Sequence, residues 1–349
     1  MRSWTRLNIA ITLIVITLGA LTRLLDAGLG CPDWPGCYGQ ITPPQSIELI
    51  NQANQAHPLF PVEQVKAWSE MIHRFAATLL GLSLLMLAIW VSIKAELKNL
   101  RSISYLALVW VILQGIFGML TVTLRIWPPV VTMHLLAGML MLALTYWQYQ
   151  LTHTSVIKLK HYTPNNITEN LRKPLMLLIF ITLIQMALGG WTSSHYAGLA
   201  CPDFPQCQNQ WWPETVNGPF HAPMVQAQEY IGGLLPMADR MAIQIIHRFT
   251  ACLLLLSAIF LCYQLYLQRH DVKQYKKLIL MISLPISIQI MIGISNVFLL
   301  LPLPLALLHN TGAALLWLCL WFVYFSLSAN SSLLANPSLL NNSSEITNE

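Results

Sequence analysis

Four histidines lie near one end of long hydrophobic stretches and are the residues most suited to chemistry: His73, His134, His247 and His309. Ionisable side chains inside a membrane are costly and usually functional. We expect each to start its helix, where the helix dipole disfavours the imidazolium form and keeps the ring able to bind a metal. Two facing imidazoles without a thiolate or carboxylate cluster suit haem iron better than zinc, which usually takes four ligands. We therefore predict two iron-ligating pairs, the first two histidines and the last two.

Any one of these histidines could instead be a residue that hydrogen-bonds a neighbouring helix. Four of them at matched positions favour ligation over that interpretation. The other six histidines have no matching partner and fall between the hydrophobic stretches, where we expect solvated loop residues: His57, His153, His161, His195, His221 and His270.

Glu70 lies three residues before His73 and therefore shares its helix face, about one turn further out. A carboxylate there would lie at the edge of a bound haem, where it could act on a substrate carbon or carry a proton. The simpler interpretation is a first-turn glutamate that favours the helix dipole. The matching position before His247 is Gln244, so only one half of the chain keeps an ionisable group. This difference predicts separate roles for the halves, with Glu70 as the candidate catalytic residue.

Two matched cysteine pairs have prolines between their members, Cys31 with Cys37 and Cys201 with Cys207. We expect both pairs to form disulfides, because outer loops face an oxidising compartment. A structural disulfide, a redox-active disulfide and a thiolate metal site all stay open, although no third metal ligand is obvious nearby. The other three cysteines lie inside hydrophobic stretches, where we expect them only to pack: Cys252, Cys262 and Cys319.

Arg74 and Arg248 directly follow His73 and His247. A guanidinium fixed at the membrane interface could pair with haem propionates in a bidentate way. It could equally anchor its helix by reaching the lipid headgroups. Both roles stay open, and neither arginine is assigned to the site.

The elements that must position these residues are membrane-spanning helices. Hydrophobic residues make up 55% of the chain, charged residues only 9%, and the mean hydropathy is +0.56. The apolar stretches approach the roughly 20 residues that a helix needs to cross a bilayer, and they are too long and too continuously apolar for barrel strands. The sequence thus predicts an all-α membrane protein with helices at 7–22, 71–93, 102–124, 130–150, 174–192, 242–267, 278–300 and 305–327. The first stretch lacks a small-x-small cleavage site, so we interpret it as a retained helix and not a signal peptide.

The distribution of basic residues predicts the orientation. With the N-terminus inside, thirteen of the nineteen lysines and arginines fall in inner segments and six on the outer side. Both termini are therefore expected in the cytoplasm. The net charge of +5 mostly reflects this asymmetry, and we predict no nucleic-acid partner.

The chain contains an internal repeat. Residues 27–37 recur almost unchanged at 197–207. Further matches follow in the same order, at a separation that grows only slightly along the chain: His73-Arg74-Phe75 with 247–249, Gln114 with Gln289, Gly118 with Gly293, and His134 with His309. Each half has an even number of helices, so we predict two parallel-repeat four-helix bundles. The predicted divisions are an N-terminal half, a cytoplasmic linker, a C-terminal half and a disordered cytoplasmic tail: 1–151, 152–172, 173–327 and 328–349.

Together these motifs resemble the haem A synthase family. The residues that carry the resemblance are Cys-Pro-Asp-Trp-Pro-Gly-Cys at 31–37, Glu70-x-x-His73-Arg74, His134, His247-Arg248 and His309. The likeness covers about residues 5–327, and the combination of motifs is specific. Both cysteine pairs match the bacterial branch of the family, which implies a bacterial plasma (inner) membrane.

The resemblance implies that the C8 methyl group of haem O is oxidised to a formyl group by successive hydroxylations, giving haem A. It implies that His73 and His134 ligate the iron of the substrate haem O, with Glu70 as the catalytic carboxylate. His247 and His309 would ligate the iron of a haem b cofactor. Because the product is poorly soluble, haem O synthase and cytochrome oxidase are candidate partners, and the electron donor stays open.

The main alternative is a di-haem cytochrome b-type membrane electron carrier that converts no substrate. It would also use paired histidines, but it gives no reason for the difference between Glu70 and Gln244 or for the cysteine loops. A transporter is disfavoured because we find no broken helices with polar residues at the midplane. A prenyltransferase would need aspartate-rich motifs, which the sequence lacks.

Overall fold

A computed structural model describes residues 1–152, 165–224, 232–267 and 272–334. Within these ranges the chain is all-helical, with two isolated β-bridges and no strand longer than that. The α-helices are α1 (Arg2–Leu24), α2 (Ile47–Ala56), α3 (Gln64–Ile93), α4 (Lys98–Thr123), α5 (Pro128–Leu151), α6 (Asn165–Ser194), α7 (Met237–Leu267), α8 (Val272–Phe298) and α9 (Leu303–Leu334), and a short 3₁₀ turn, Ala95–Leu97, precedes α4.

All helices except α2 are long and apolar enough to cross a membrane, which gives eight spans among the described residues. This confirms the predicted multi-pass helical membrane protein. Large hydrophobic side chains on the outer faces of these helices are exposed, as expected for surfaces in contact with lipid.

Several helix boundaries differ from the predicted ones. Helix α3 begins at Gln64 and α7 at Met237, several residues before the predicted starts at 71 and 242. Their first turns contain charged residues, which weaken the hydropathy signal: Lys66 in α3, and Asp239 and Arg240 in α7. The 30 residues of α3 make a helix of about 45 Å, longer than the hydrocarbon core of about 30 Å. Helix α6 begins at Asn165, within the predicted linker, and α9 continues to Leu334, beyond the predicted end at 327.

The order of helix contacts is the same in the two halves. Helix α1 packs against α3 and α5, α3 against α4, and α4 against α5; likewise α6 packs against α7 and α9, α7 against α8, and α8 against α9. The halves meet where α1 and α5 contact α6 and α9. Across this contact Trp317 Nε1 donates to the carbonyl oxygen of Met139 at 2.9 Å. Each half thus has four long helices in which each helix contacts two others of the same half.

Helix α2 is a short element that sequence reasoning did not predict. Its N-cap is Ser46, whose hydroxyl accepts from the Leu49 amide at 3.3 Å, and Glu48 stands in its first turn. The helix packs through Ala53 into a small apolar cluster that also contains the first cysteine pair. It therefore helps to cover the loop that follows α1.

Candidate functional site

The four matched histidines lie on four different helices. His73 lies on α3, His134 on α5, His247 on α7 and His309 on α9. The prediction that they start their helices is wrong for His73 and His247, because α3 and α7 begin at Gln64 and Met237, more than two turns earlier. His134 and His309 are the seventh residues of α5 and α9, so all four histidines lie beyond the first turn, where the helix dipole mainly acts.

Each of these histidine rings faces a glycine of a neighbouring helix. A Cβ added to Gly19 of α1 would lie 2.9 Å from Cε1 of His73, and the corresponding distances for the other three pairs are between 3.2 and 3.8 Å. Those pairs are Gly118 with His134, Gly189 with His247, and Gly293 with His309. Glycine allows the backbone of one helix to approach the imidazole carried by another. Sequence reasoning matched Gly118 with Gly293, but it overlooked Gly19 and Gly189, which stand at the same separation as the two cysteine loops.

The residues present fit a flat group that two imidazoles ligate. All four histidine residues are half-buried. His73 and His134 lie on two helices of the first half, and His247 and His309 on the matching helices of the second. The Nδ1 atoms of His73 and His134 are buried without a hydrogen-bond partner. No group of three or more His, Cys, Asp or Glu residues that could hold a metal ion occurs in the described part of the chain, so a haem held by two histidines suits this donor set better than a bare ion.

The Glu70 carboxylate lies between its own helix and the first cysteine loop. The residue is only 4% exposed; its Oε1 is 2.5 Å from Nη2 of Arg74, and its Oε2 accepts from the Cys31 amide at 2.9 Å. Gln244 donates to the Gly198 carbonyl oxygen at 3.3 Å, and its Oε1 is buried without a partner. Glu70 therefore accepts a hydrogen bond from its loop, whereas Gln244 donates one to the matching loop.

Both arginines bind carbonyl oxygens of the cysteine loops, a contact that sequence reasoning did not predict. Arg74 donates to carbonyl oxygens of the first loop at 3.1, 3.2 and 2.6 Å, those of Asp33, Pro35 and Gly36. Arg248 does the same in the second loop at 3.0, 3.1 and 2.6 Å, to Cys201, Pro205 and Gln206. Both guanidiniums thus attach the cysteine loops to the helices that carry His73 and His247.

Both cysteine pairs form disulfides, as predicted. The Cα atoms of Cys31 and Cys37 are 4.8 Å apart and those of Cys201 and Cys207 are 4.6 Å apart. These disulfides rule out the thiolate metal site that the sequence left open. A carboxylate caps each loop. Asp33 accepts from the amides of residues 38 and 39, and Asp203 accepts from those of 208 and 209, which lowers the pKa of Asp203.

The remaining cysteines and histidines differ in part from expectation. Cys252 is exposed on its helix, so the prediction that it packs is wrong. His195 is not a solvated loop residue: it is 2% exposed, its ring centroid lies 4.4 Å from that of Trp191, and burial lowers its pKa. His57 makes an edge contact with Tyr38. Three of the predicted loop histidines lie outside the described residues: His153, His161 and His270.

A charged cluster that sequence reasoning missed joins the ends of α1 and α6. Arg23 pairs with Asp26 at 2.8 Å and donates to the Tyr196 hydroxyl at 3.2 Å and to the Ser193 carbonyl oxygen at 2.5 Å. The Tyr196 hydroxyl also donates to Asp26 at 2.6 Å. Positions 23 and 193, and 26 and 196, match in the repeat, so each half contacts the other through equivalent positions. The residue types differ between the halves, so the repeat alone carried no signal for this cluster.

The eight apolar helices of the described residues define the class of protein, a multi-pass helical membrane protein, and four of these helices carry the two matched histidine pairs. The sequence matches the family of cytochrome oxidase assembly proteins over residues 2–321. It is 37% identical to the Heme A synthase of Shewanella oneidensis over 328 residues, which cover 94% of this chain and 96% of that protein. The chain therefore belongs to the haem A synthase family of cytochrome oxidase assembly proteins, and the resemblance inferred from the motifs is confirmed.

More distant relatives carry the same name. The Heme A synthase of Halalkalibacterium halodurans is 29% identical over 213 residues, which cover 60% of this chain and 64% of that protein. The Heme A synthase of Bradyrhizobium sp. is 24% identical over 341 residues, which cover 90% and 87% of the two chains.

Proposed function

We propose that this protein is a haem A synthase that oxidises the C8 methyl group of haem O to a formyl group. The observation that carries the proposal is the place of Glu70, buried one turn from His73, where the second half has Gln244. The relatives of this chain are named Heme A synthase. The matched position is acidic in the first half, Glu70, and neutral in the second, Gln244. Together these observations support one reacting site and one supporting site.

The two halves are proposed to have different haems. His73 and His134 would ligate the iron of haem O, the substrate. His247 and His309 would hold haem b, whose iron would supply a relay for electrons from a donor outside the substrate. The unpartnered Nδ1 atoms of the first pair and the glycines facing all four rings support this assignment.

Glu70 is proposed to act as a fixed negative charge beside the reacting carbon. Each of two hydroxylations would break a C–H bond of the methyl group and form a C–O bond, with dioxygen as oxidant and oxygen source and two electrons from the external donor reducing its second oxygen atom to water; the resulting geminal diol loses water to give the formyl group. The Cys31 amide and the Arg74 guanidinium hold the Glu70 carboxylate in place before reaction. A preorganised charge of this kind stabilises positive charge that develops on the substrate in the transition state.

The proposed setting is a bacterial plasma membrane with both termini in the cytoplasm. The excess of basic residues in the inner segments supports this orientation, and the two disulfides support an oxidising outer side. Haem O synthase and cytochrome oxidase are proposed partners for hand-over, since neither substrate nor product is soluble in water.

Substitution of Glu70 by glutamine tests the function. The protein is expressed in cells that make haem O, and the haems extracted from membranes and from the purified protein are separated by chromatography. Glu70→Gln should keep bound haem O but lower the haem A yield about 100-fold. The control is Glu63→Gln, two turns earlier, whose carboxylate is 58% exposed and pairs with Lys66; it should leave the yield unchanged.

Two results would contradict the proposal. Haem A at the parent level in Glu70→Gln would remove the carboxylate from the mechanism. A parent protein that binds haem B but gives no haem A would instead support a di-haem electron carrier.

A further inference from the structure

The first half has a buried polar layer towards the end of its helices that is opposite to the cysteine loop. Its members stand on four helices and are at most 5% exposed: Asn8 on α1, Ser83 on α3, Ser104 on α4, and Thr145 and Gln148 on α5. The free-energy cost of burying such side chains is large unless they are hydrogen-bonded. Each of them therefore needs a partner inside the protein.

Asn8 and Gln148 lie at the same level of this layer. The hydroxyl oxygens of Thr5 on α1 and Thr152 after α5 are 3.3 Å apart, which fixes the register of the two antiparallel helices. Asn8 comes three residues after Thr5, and Gln148 comes four residues before Thr152. At a rise of about 1.5 Å per residue, the two amides lie about 4.5 and 6 Å from that contact.

Hydrogen bonds within the protein satisfy only part of the layer. The Ser83 hydroxyl donates to Asn8 Oδ1 at 2.6 Å and accepts from Trp4 Nε1 at 3.0 Å. Four buried atoms have no hydrogen-bond partner among the described residues: Asn8 Nδ2, Ser104 Oγ, and Nε2 and Oε1 of Gln148. The whole amide of Gln148 is thus left without a hydrogen bond.

Apolar side chains close the layer on both sides. Towards the histidines lies a cluster of buried side chains: Ile11, Leu80, Leu84, Ala107 and Met141. Towards the other end lies a second cluster: Leu87, Val91, Leu100 and Ile103, with Trp4 and Leu144 packed against them. Each cluster contains side chains from all four long helices of the first half, so the unpartnered atoms are shielded from bulk water.

The matched positions of the second half are packed differently. Four of the five are apolar and belong to, or pack against, its hydrophobic core: Leu178, Ile279, Leu320 and Val323, in place of Asn8, Ser104, Thr145 and Gln148. The fifth, Ser257 in place of Ser83, donates to the Leu254 carbonyl oxygen of its own helix at 2.8 Å. A hydroxyl can satisfy itself in this way within a helix. At these five positions, unpartnered polar atoms therefore occur in the first half alone.

The unpartnered groups suit water better than an ion. The two amide nitrogens donate, the amide oxygen accepts, and the Ser104 hydroxyl can do either. A water molecule also donates and accepts, and a buried one typically makes about three hydrogen bonds to polar groups that lack other partners. None of the five residues of the layer is charged, so an ion bound there would have no opposite charge beside it.

We propose that the polar layer of the first half is a binding site for internal water, with no counterpart at the matched positions of the second half. Water there accepts from Asn8 Nδ2 and Gln148 Nε2 and donates to Gln148 Oε1. It thus joins α1 to α5 through hydrogen bonds, where α6 and α9 pack through Leu178, Leu320 and Val323. The site does not depend on which haem either half holds.

Oxidation by hydroxyl radicals tests the site. A pulse of X-rays forms these radicals from water, including water inside a protein, and mass spectrometry of the digested protein then locates the oxidised side chains. Met141 stands one turn from Thr145 and borders the layer, whereas Met139 packs in the hydrophobic core of the second half. The two methionines are 2% and 4% exposed, so bulk water reaches them about equally. In the full-length protein in detergent, Met141 should be oxidised several-fold faster than Met139.

A variant that copies the second half should remove the difference. Asn8→Leu with Gln148→Val deletes three of the four unpartnered atoms, so the rate of Met141 oxidation should fall to that of Met139. The control is Asn51→Leu with Gln55→Val, the same two changes on the exposed surface of α2, which should leave the rates as in the parent. Gln148→Leu, which deletes only the amide, takes the place of the double variant if that variant does not elute as folded protein in gel filtration.

Two results would overturn the proposal. Equal oxidation of Met141 and Met139 in the parent would show that the layer is dry and that its side chains bond one another directly. Fast oxidation of Met141 that persists in the folded Asn8→Leu with Gln148→Val variant would show that the amides do not hold the water. Neither result would affect the proposed function, because Glu70 and the four histidines are unchanged in these variants.

Discussion

Glu70 and Arg74 form an ion pair between adjacent turns of α3, with 2.5 Å between Oε1 and Nη2, and both groups also contact the first disulfide loop. The second half keeps the arginine, Arg248, and its bonds to loop carbonyls, but it has Gln244 in place of the acid. The arginine therefore has a structural role that the halves share, and a charge-balancing role that only the first half needs.

This difference predicts unequal effects of removing the two arginines. Arg74→Met should destabilise the protein by about 3 kcal/mol more than Arg248→Met, because only the first substitution leaves a buried carboxylate without its partner. Thermal unfolding of the purified protein in detergent measures the difference. Equal losses in the two variants would mean that Arg74 contributes only the loop contacts.

The chemistry-bearing residues could be predicted from the sequence because the repeat shows them twice. His73, His134 and the cysteine pairs stand at nearly constant separations from their copies, and such matches do not require knowledge of helix packing. Glu70 was found by the opposite signal, a position where the copies differ.

What surrounds those residues depends on contacts between distant helices. The loop carbonyls that Arg74 binds, and the glycine at position 19 that faces His73, become evident only when α1, α3 and the first loop are packed together. The burial of His195 also has a tertiary cause, its packing against Trp191. Hydropathy patterns contain no information on any of these contacts.

The glycines that face the histidines predict a graded effect of adding one methyl group. Gly19→Ala would place a Cβ 2.9 Å from the His73 ring, whereas Gly118→Ala would place one 3.8 Å from the His134 ring, an ordinary van der Waals distance. The first variant should therefore displace its ring and lower haem bound to the first pair about 10-fold, and the second should have little effect. Haem content per protein, measured from the pyridine haemochrome spectrum in a His247→Ala and His309→Ala background, checks this. Equal haem contents would show that the ring has room to move.

We expect the two disulfides to contribute equally to stability but unequally to the yield of haem A. Each closes a loop with a sequence separation of 6, so removing either by Cys→Ser at both members should cost about 2 kcal/mol of stability. Only the first loop also holds Glu70, through the Cys31 amide. We therefore expect Cys31→Ser with Cys37→Ser to lower haem A yield more than Cys201→Ser with Cys207→Ser at equal amounts of folded protein. The same chromatographic measurement decides this, and equal yields would separate the first disulfide from the reaction.

The stability that Tyr38 of the first cysteine loop contributes to the protein should depend on alkaline pH. Burial, together with the negative charges of Glu70 and Asp33, raises the pKa of Tyr38 from its usual value of 10.0 to about 12. Because the folded state holds this proton more tightly than the unfolded state, the contribution of Tyr38 to stability is complete below pH 10 and is lost as pH rises from about 10 to 12. The hydroxyl donates to the Phe60 carbonyl oxygen at 3.1 Å, so Tyr38→Phe removes both the bond and the titrating group.

The parent and Tyr38→Phe should therefore differ most in unfolding temperature near pH 8, with the parent more stable, and the two should converge towards pH 12. The comparison cancels the effects of the lysines and other tyrosines that titrate in the same range, since both proteins contain them. Parallel curves across this range would show that the Tyr38 proton is held no more tightly in the folded protein than in the unfolded chain.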